Sequence, residues 1–365
     1  NARKLKAFGF VRFVAAWHII AFHIALSTSS SYKCESVPCN FALWGQSWVT
    51  FFFLLSGFMI AYSQLLKPDP SRLGTALSFM RRRLASVYPL YVLSCLLHMT
   101  ILLCLGAAVP SSWWTSLPLY LLMLQTWTWQ SCNNSMFCCQ TWSRVTWYVA
   151  DLVFYWLCFF YVFPRFKALS NRATKVGFIF GMVCTCVWPC VIYLHFGAGD
   201  PIPWEAPLVR LALYHPISFA HVFWSGMCLA KMFVARSEQG GDNMDLLYSW
   251  STEVSLAIML LVFLLVDMSE PLVFCVRSGV LLPLQALFLW GLAAEDGVLP
   301  RLLCRGPLPQ LGDLSLGLYV LQDALAIEVW MPKGLLFMLV PPAYLAIVFA
   351  AHRLIEKPMA TLFLR

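Results

Sequence analysis

Eleven apolar runs follow one another along this chain of 365 residues, joined by short segments that hold most of its charge. They centre on residues 7–28, 45–66, 87–106, 116–130, 145–164, 174–196, 212–234, 249–267, 271–294, 311–331 and 335–355. Crossing the hydrocarbon core of a bilayer takes about 20 apolar residues as helix, and most of these runs reach that length. Charged residues make up only 12% of the chain, about half the roughly 25% of a soluble globular domain. The expected fold is therefore all-α: a polytopic transmembrane helix bundle, read as one integral-membrane domain over residues 1–365.

The run 116–130, SLPLYLLMLQTWTWQ, is the weakest, being short and ending in polar and Trp-rich sequence. It reads as re-entrant or interfacial, which leaves about ten full spans. With the N-terminus in the cytosol and ten spans alternating, nineteen of the 25 Lys and Arg residues fall in cytosolic segments. Four fall on the other side: Lys33, Arg144, Arg210 and Lys333. That asymmetry is the positive-inside pattern, and it places both termini in the cytosol. Counting 116–130 as a crossing flips every later loop and destroys it. The net charge of +8 is thus explained by topology rather than by a nucleic-acid partner.

Fourteen cysteines are present, most of them inside spans, where Cys behaves as a small hydrophobe. Cys34, Cys39, Cys132, Cys138 and Cys139 fall in non-cytosolic loops. On an oxidising side Cys34–Cys39 can form a local disulfide, with a second bridge from Cys132 to Cys138 or Cys139; free thiols are the other reading. The cysteine and histidine spacings do not make a zinc site.

Ionisable residues inside spans are costly and mark sites or pathways. Arg12 and His23 both lie in the first run. Their separation of eleven residues is close to three helical turns, so they share a face, about 16 Å apart along the axis. His23 reads either as a general base for a hydroxyl or as a packed structural histidine. His18, five residues earlier and on another face, is expected to be structural. Arg12 reads as a forked phosphate ligand or as a snorkelling side chain. Arg81, Arg82 and Arg83 precede the third run and read as topology anchors or as a patch for a phosphorylated cofactor. Ser56-Gly57 interrupts an apolar helix and permits close helix approach. Asp151 lies within a span and needs a partner or a proton, and His23 is a candidate partner. His98, His215, His221, Arg277, Asp323 and Glu328 are further intramembrane polar groups, each as consistent with helix–helix contacts as with chemistry.

Six segments together resemble the acyltransferase-3 family of integral-membrane acyltransferases, in order and over essentially the whole chain. Arg12-x10-His23 resembles its first-helix signature, and FFFLLSGFMI (51–60) its FFxLSGFL segment. FMRRRLASVYPLY (79–91) resembles its arginine-rich segment ending in a Tyr-Pro pair, and TWYVADLVFY (146–155) its Trp–acid–Phe-Tyr segment. LGDLSLGLYVLQ (311–322) and RLIEKP (353–358) are similar to its last two motifs. The resemblance implies a bundle of about ten core helices and acyl transfer from cytosolic acyl-coenzyme A, as donor, to a hydroxyl of a sugar or lipid acceptor. It implies catalysis by His23 and donor binding by Arg12. The residues' own chemistry adds Asp151 as the acidic companion of His23, and Arg81, Arg82 and Arg83 as further cations for coenzyme A phosphates. Two positions depart from the family pattern. Ser86 stands where the family has a second arginine, and Gln322 where it often has histidine. Ser86 supports the alternative of a catalytically inactive accessory subunit within a larger membrane assembly; the intact Arg12/His23 pair supports the enzyme.

Overall fold

Within hydrocarbon no water satisfies backbone amides, so a crossing segment must pair its N–H and C=O groups internally, as a helix does. The computed structural model follows that constraint. It describes residues 5–28, 36–67, 73–106, 111–128, 131–132, 136–137, 142–197, 202–204, 206–238, 250–295, 297–325 and 336–364. The helices are α1 (Phe8–Thr28), α2 (Val37–Leu43), α3 (Trp48–Leu65), α4 (Leu73–Cys104), α5 (Ser111–Leu121), α6 (Trp147–Ala168), α7 (Asn171–Cys184), α8 (Val187–Phe196), α9 (Pro207–Tyr214) and α10 (Pro216–Glu238). They continue as α11 (Ser251–Leu265), α12 (Glu270–Ser278), α13 (Leu282–Ala294), α14 (Val298–Leu303), α15 (Leu308–Leu311), α16 (Ser315–Ala324), α17 (Leu336–Ala351) and α18 (Lys357–Leu364). A π-helical turn, His352–Glu356, joins the last two. The only described strands are the two-residue pair Ser131–Cys132 and Met136–Phe137.

Among the described residues six helical segments are long and apolar enough to cross a membrane, or seven if α12 and α13, bent by 42°, form one span. The expected count of ten is not reached. Several apolar runs do not make one continuous helix. The run 271–294 breaks at Gly279, whose φ of +100° ends α12 in the left-handed region. The run 249–267 yields only the 15 residues of α11, and the run 311–331 yields the 10-residue α16 before it leaves the described residues. The 16-residue α17 carries Pro341 and Pro342. Hydropathy registers composition, whereas a span also needs an unbroken hydrogen-bond ladder. In the 116–130 run α5 has 11 residues and ends before a 3-10 turn at Gln125–Trp127. That helix is too short to cross.

The centre of the bundle is the crossing of α3 with α10. A side-chain carbon added at Gly57 would collide with the carbonyl of Phe223, and one at Gly226 with the carbonyl of Leu54. The two backbones therefore touch, as the Ser56-Gly57 step leads one to expect. Aromatic rings fill the space beside this seam: Phe53 stacks on Phe219 with centroids 4.9 Å apart and meets Tyr148 at 4.6 Å. On the α1 side, Gly9 lies against Pro309 and Gly312 in the same backbone-to-backbone manner. At the end of α6, Lys231 Nζ donates to the carbonyls of Phe166, Lys167 and Leu169 at 3.0, 2.8 and 2.5 Å. These are carbonyls that a helix C-terminus leaves without partners. Cys39 is disulfide-bonded. Its expected partner Cys34, with Cys138, Cys139 and the side chain of Cys132, lies outside the described residues, as does Glu328.

Candidate active site

α1 is the axis of the site. Near its start Arg12 Nη2 donates to the backbone carbonyl of Gly312, 300 residues away in sequence. Its Nε is buried without a hydrogen-bond partner. Part of the fork is thus pinned, and one donor remains unused. Arg12 lines a cavity of about 520 Å³. Arg83 lines it too, with its guanidinium 5.2 Å from the Phe79 ring centroid and 5.8 Å from that of Trp156. Stacking of this kind holds an arginine in place without neutralising it.

The three-arginine cluster is divided by the helix it sits on. Successive residues on α4 point about 100° apart, so only Arg83 reaches the cavity; Arg81 and Arg82 are exposed and form no part of its lining. Ser86, one turn on from Arg83, lies in the cavity wall, and its hydroxyl donates to the Arg83 carbonyl at 2.9 Å. Ser56, Trp156, Asp313, His352 and Glu356 also line it. His352 Nδ1 and Glu356 Oε2 are 2.8 Å apart. Asp313 and Glu356 both lie within electrostatic range of Arg12. The cavity thus holds Lys6, Arg12 and Arg83 against two carboxylates, a cation surplus suited to a polyanion.

Tyr148 and Tyr319 also line this cavity, with ring centroids 5.4 Å apart in an edge-to-face arrangement. Tyr319 is within electrostatic range of Arg277 and Asp323. The same two residues, with Arg144, surround His23. Tyr319 thus lines the Arg12 cavity and shares its charged neighbours, Arg277 and Asp323, with His23.

His23 is half-buried, lies edge-on to Phe22 with centroids 5.0 Å apart, and makes no hydrogen bond among the described residues. Beside it Arg144 grips Asp323. Arg144 Nε and Nη2 each lie 2.8 Å from Oδ1, and the Arg144 backbone N–H donates to Oδ2 at 2.6 Å. His98 Nδ1 is 3.9 Å from the same Oδ2. Arg277 Nε donates to Gln46 Oε1 at 3.2 Å. The Asp323 carboxylate thus sits in a charge-assisted, bidentate cradle next to the imidazole.

Asp151 is not among the charged groups that act on His23. It is fully buried, and the hydroxyl that acts on its carboxyl is that of Thr126. Asp151 lies among Tyr148, Tyr155 and Tyr319. The groups that act on His23 are Arg144, Asp323 and Arg277. Sequence reasoning noted Asp323 and Arg277 only as intramembrane polar groups and missed Tyr319 and Arg144. The usable signals were position: Arg144 precedes the TWYVAD segment, and Tyr319 and Asp323 belong to or adjoin LGDLSLGLYVLQ. Gln322, in the position of the family histidine, bonds locally, donating to the Tyr319 carbonyl at 2.9 Å.

The acyltransferase domain family matches residues 5–351, nearly the whole chain. The chain belongs to that family. No curated protein and no solved structure matches it. The matched region holds Arg12, Arg83, Tyr148, Tyr319 and His23, while His352 and Glu356 of the cavity lining follow directly after it. The helical bundle and its apolar spans are those of a membrane acyltransferase.

Proposed function

We propose that this acyltransferase domain moves an acyl group from cytosolic acyl-coenzyme A to a hydroxyl of a sugar or lipid acceptor. The observation that carries the reading is the single helix α1. It carries both an arginine that lines a cavity with surplus positive charge and a histidine with no hydrogen bond among the described residues. The cavity is lined by residues that the positive-inside count assigns to the cytosolic side, where coenzyme A would enter.

In this reading Arg12 and Arg83 hold donor phosphates, and the acyl chain and thioester extend toward Tyr148 and Tyr319. His23 accepts the proton of the acceptor hydroxyl. The hydroxyl oxygen attacks the thioester carbonyl carbon. The carbon–sulfur bond breaks, and the coenzyme A sulfur leaves and takes up a proton. Asp323, held by Arg144, is the carboxylate set against the two arginines that act on the imidazole. Asp151 is no part of the cavity lining. Tyr148, Tyr155 and Tyr319 around it give it no cation to pair with.

The test is acyl transfer or coenzyme A release by the purified protein with a series of acyl-coenzyme A donors. Wild type should turn over at least one donor. Silence with every donor, together with co-purifying membrane proteins, would favour the accessory-subunit reading, which Ser86 in the cavity wall supports. Orientation has its own test. In a cysteine-free background, a membrane-impermeant thiol reagent added outside should reach a cysteine at position 35 or 335 and spare one at 70 or 170. Labelling at Ser170 would sink the assignment of cytosolic termini.

A further inference from the structure

A second cavity, of about 490 Å³, lies among α7, α10 and α13, away from α1. Its walls are apolar, formed by residues such as Phe178, Met232 and Leu287, with Trp290 along one side. Its rim carries Lys175 and Arg236, and no lining residue is acidic. The two cations meet there because α7 and α10 run antiparallel: Gly181 lies against His221 and Ser225, and Gly177 against Trp224 and Cys228. The start of α7 and the end of α10 are therefore at the same level of the bundle, the end that the charge count assigns to the cytosol.

The cavity opens where a bilayer would be. Lys175 and Leu287 are exposed. On α7 the adjoining Val176, Ile179, Phe180 and Val183 are more than half exposed, an apolar face suited to contact with acyl chains. Cations at the level of the headgroups, above an apolar slot, match one class of molecule in both halves: an anionic head over a hydrocarbon tail. A zwitterionic lipid offers the tail without the net charge, and a soluble anion offers the charge without the tail.

We infer that this cavity binds one anionic phospholipid of the cytosolic leaflet, its phosphate between Lys175 and Arg236 and one acyl chain along Met232, Leu287 and Trp290. Trp290 reports occupancy directly. The full chain is reconstituted in phosphatidylcholine vesicles carrying a minor fraction of chain-brominated lipid, either phosphatidylglycerol or phosphatidylcholine. Brominated phosphatidylglycerol should quench more tryptophan emission than brominated phosphatidylcholine, and Trp290→Phe should remove most of the difference. Lys175→Gln with Arg236→Gln should lower the preference for phosphatidylglycerol roughly tenfold or more, and Lys175→Gln alone should lower it part-way. Arg172→Gln, an exposed cation on the same helix end outside the cavity, should leave it unchanged. Equal quenching by the two lipids would overturn the inference. So would an Arg172→Gln loss as large as that of the double variant, or loss of the preference on adding inorganic phosphate at constant ionic strength.

Discussion

His18 and His23 sit on one helix, five residues apart, and are held in opposite ways. His18 is used up. Its Nε2 donates to the Phe41 carbonyl at 2.8 Å, and its Nδ1 accepts from Trp48 Nε1–H at 2.8 Å. The Phe41 ring stacks on it at 4.7 Å, and Phe263 and Trp48 close the other sides. A ring with one nitrogen donating and the other accepting is a neutral imidazole in a fixed tautomer, with no lone pair left for a substrate. His23 has no such partners and faces Arg144, Asp323 and Arg277 instead. A rotation of about 140° around the helix separates an imidazole with both nitrogens engaged from one with no hydrogen bond among the described residues.

The largest effect that would sharpen or break this contrast is in turnover. His23→Ala should lower acyl transfer by about 10²–10⁴-fold, the usual worth of general-base catalysis, while the protein still inserts and folds. Equal losses in His18→Ala and His23→Ala would erase the contrast and point to packing. Next comes the other end of α1. Arg12→Lys keeps the charge and loses the fork, so the KM for acyl-coenzyme A should rise about tenfold with a smaller change in kcat. Arg83→Gln should raise it less, and Arg81→Gln or Arg82→Gln hardly at all; an equal rise across the cluster would refute the division of the arginines by the cavity wall.

Smaller again is the effect of the acid. Asp323→Asn removes one charge near His23 without touching it, and turnover should fall on the order of tenfold. Asp151→Asn should change it less. A larger loss from Asp151→Asn would restore that residue to the chemistry. Ser86→Arg should lower the donor KM by a few-fold, read from initial rates over a donor titration, because it adds a cation to the same wall. The smallest effect on turnover is that of His18→Ala, which should keep most activity per folded molecule. Its signature is thermal: the Trp48 N–H and Phe41 carbonyl lose their partner, at a cost of about 1–3 kcal/mol, and the midpoint of unfolding in detergent should drop.

The contrast between the two histidines was legible in the chain because helical phase is a local property. The same holds for the bundle, the close α3 crossing at Ser56-Gly57 and the placing of Arg12 with an arginine of the α4 cluster. Other features depend on contacts that local patterns do not encode. Arg12 meets Gly312 and Arg144 meets Asp323 across 300 and 179 residues. Which carboxylate stands near His23 is decided by those pairings, and Asp151, equally apolar in its surroundings, gave no sign of being elsewhere. The span count exceeded the six or seven long apolar segments because hydropathy does not register where Gly279 or the Pro341–Pro342 pair disturbs a helix.

Mechanically, the Gly57–Gly226 seam leaves α3 and α10 few ways to move. No side chains lie between the two backbones there to be repacked, so the helices cannot slide past each other and are free only to tilt together. α3 gives Ser56, Met59 and Ile60 to the Arg12 cavity, and α10 gives Leu229, Met232 and Arg236 to the second. The pair thus borders a pocket on each flank. Whatever tilts it from one flank alters the fit at the other, and linkage requires the two effects to be equal in free energy whichever pocket is filled first.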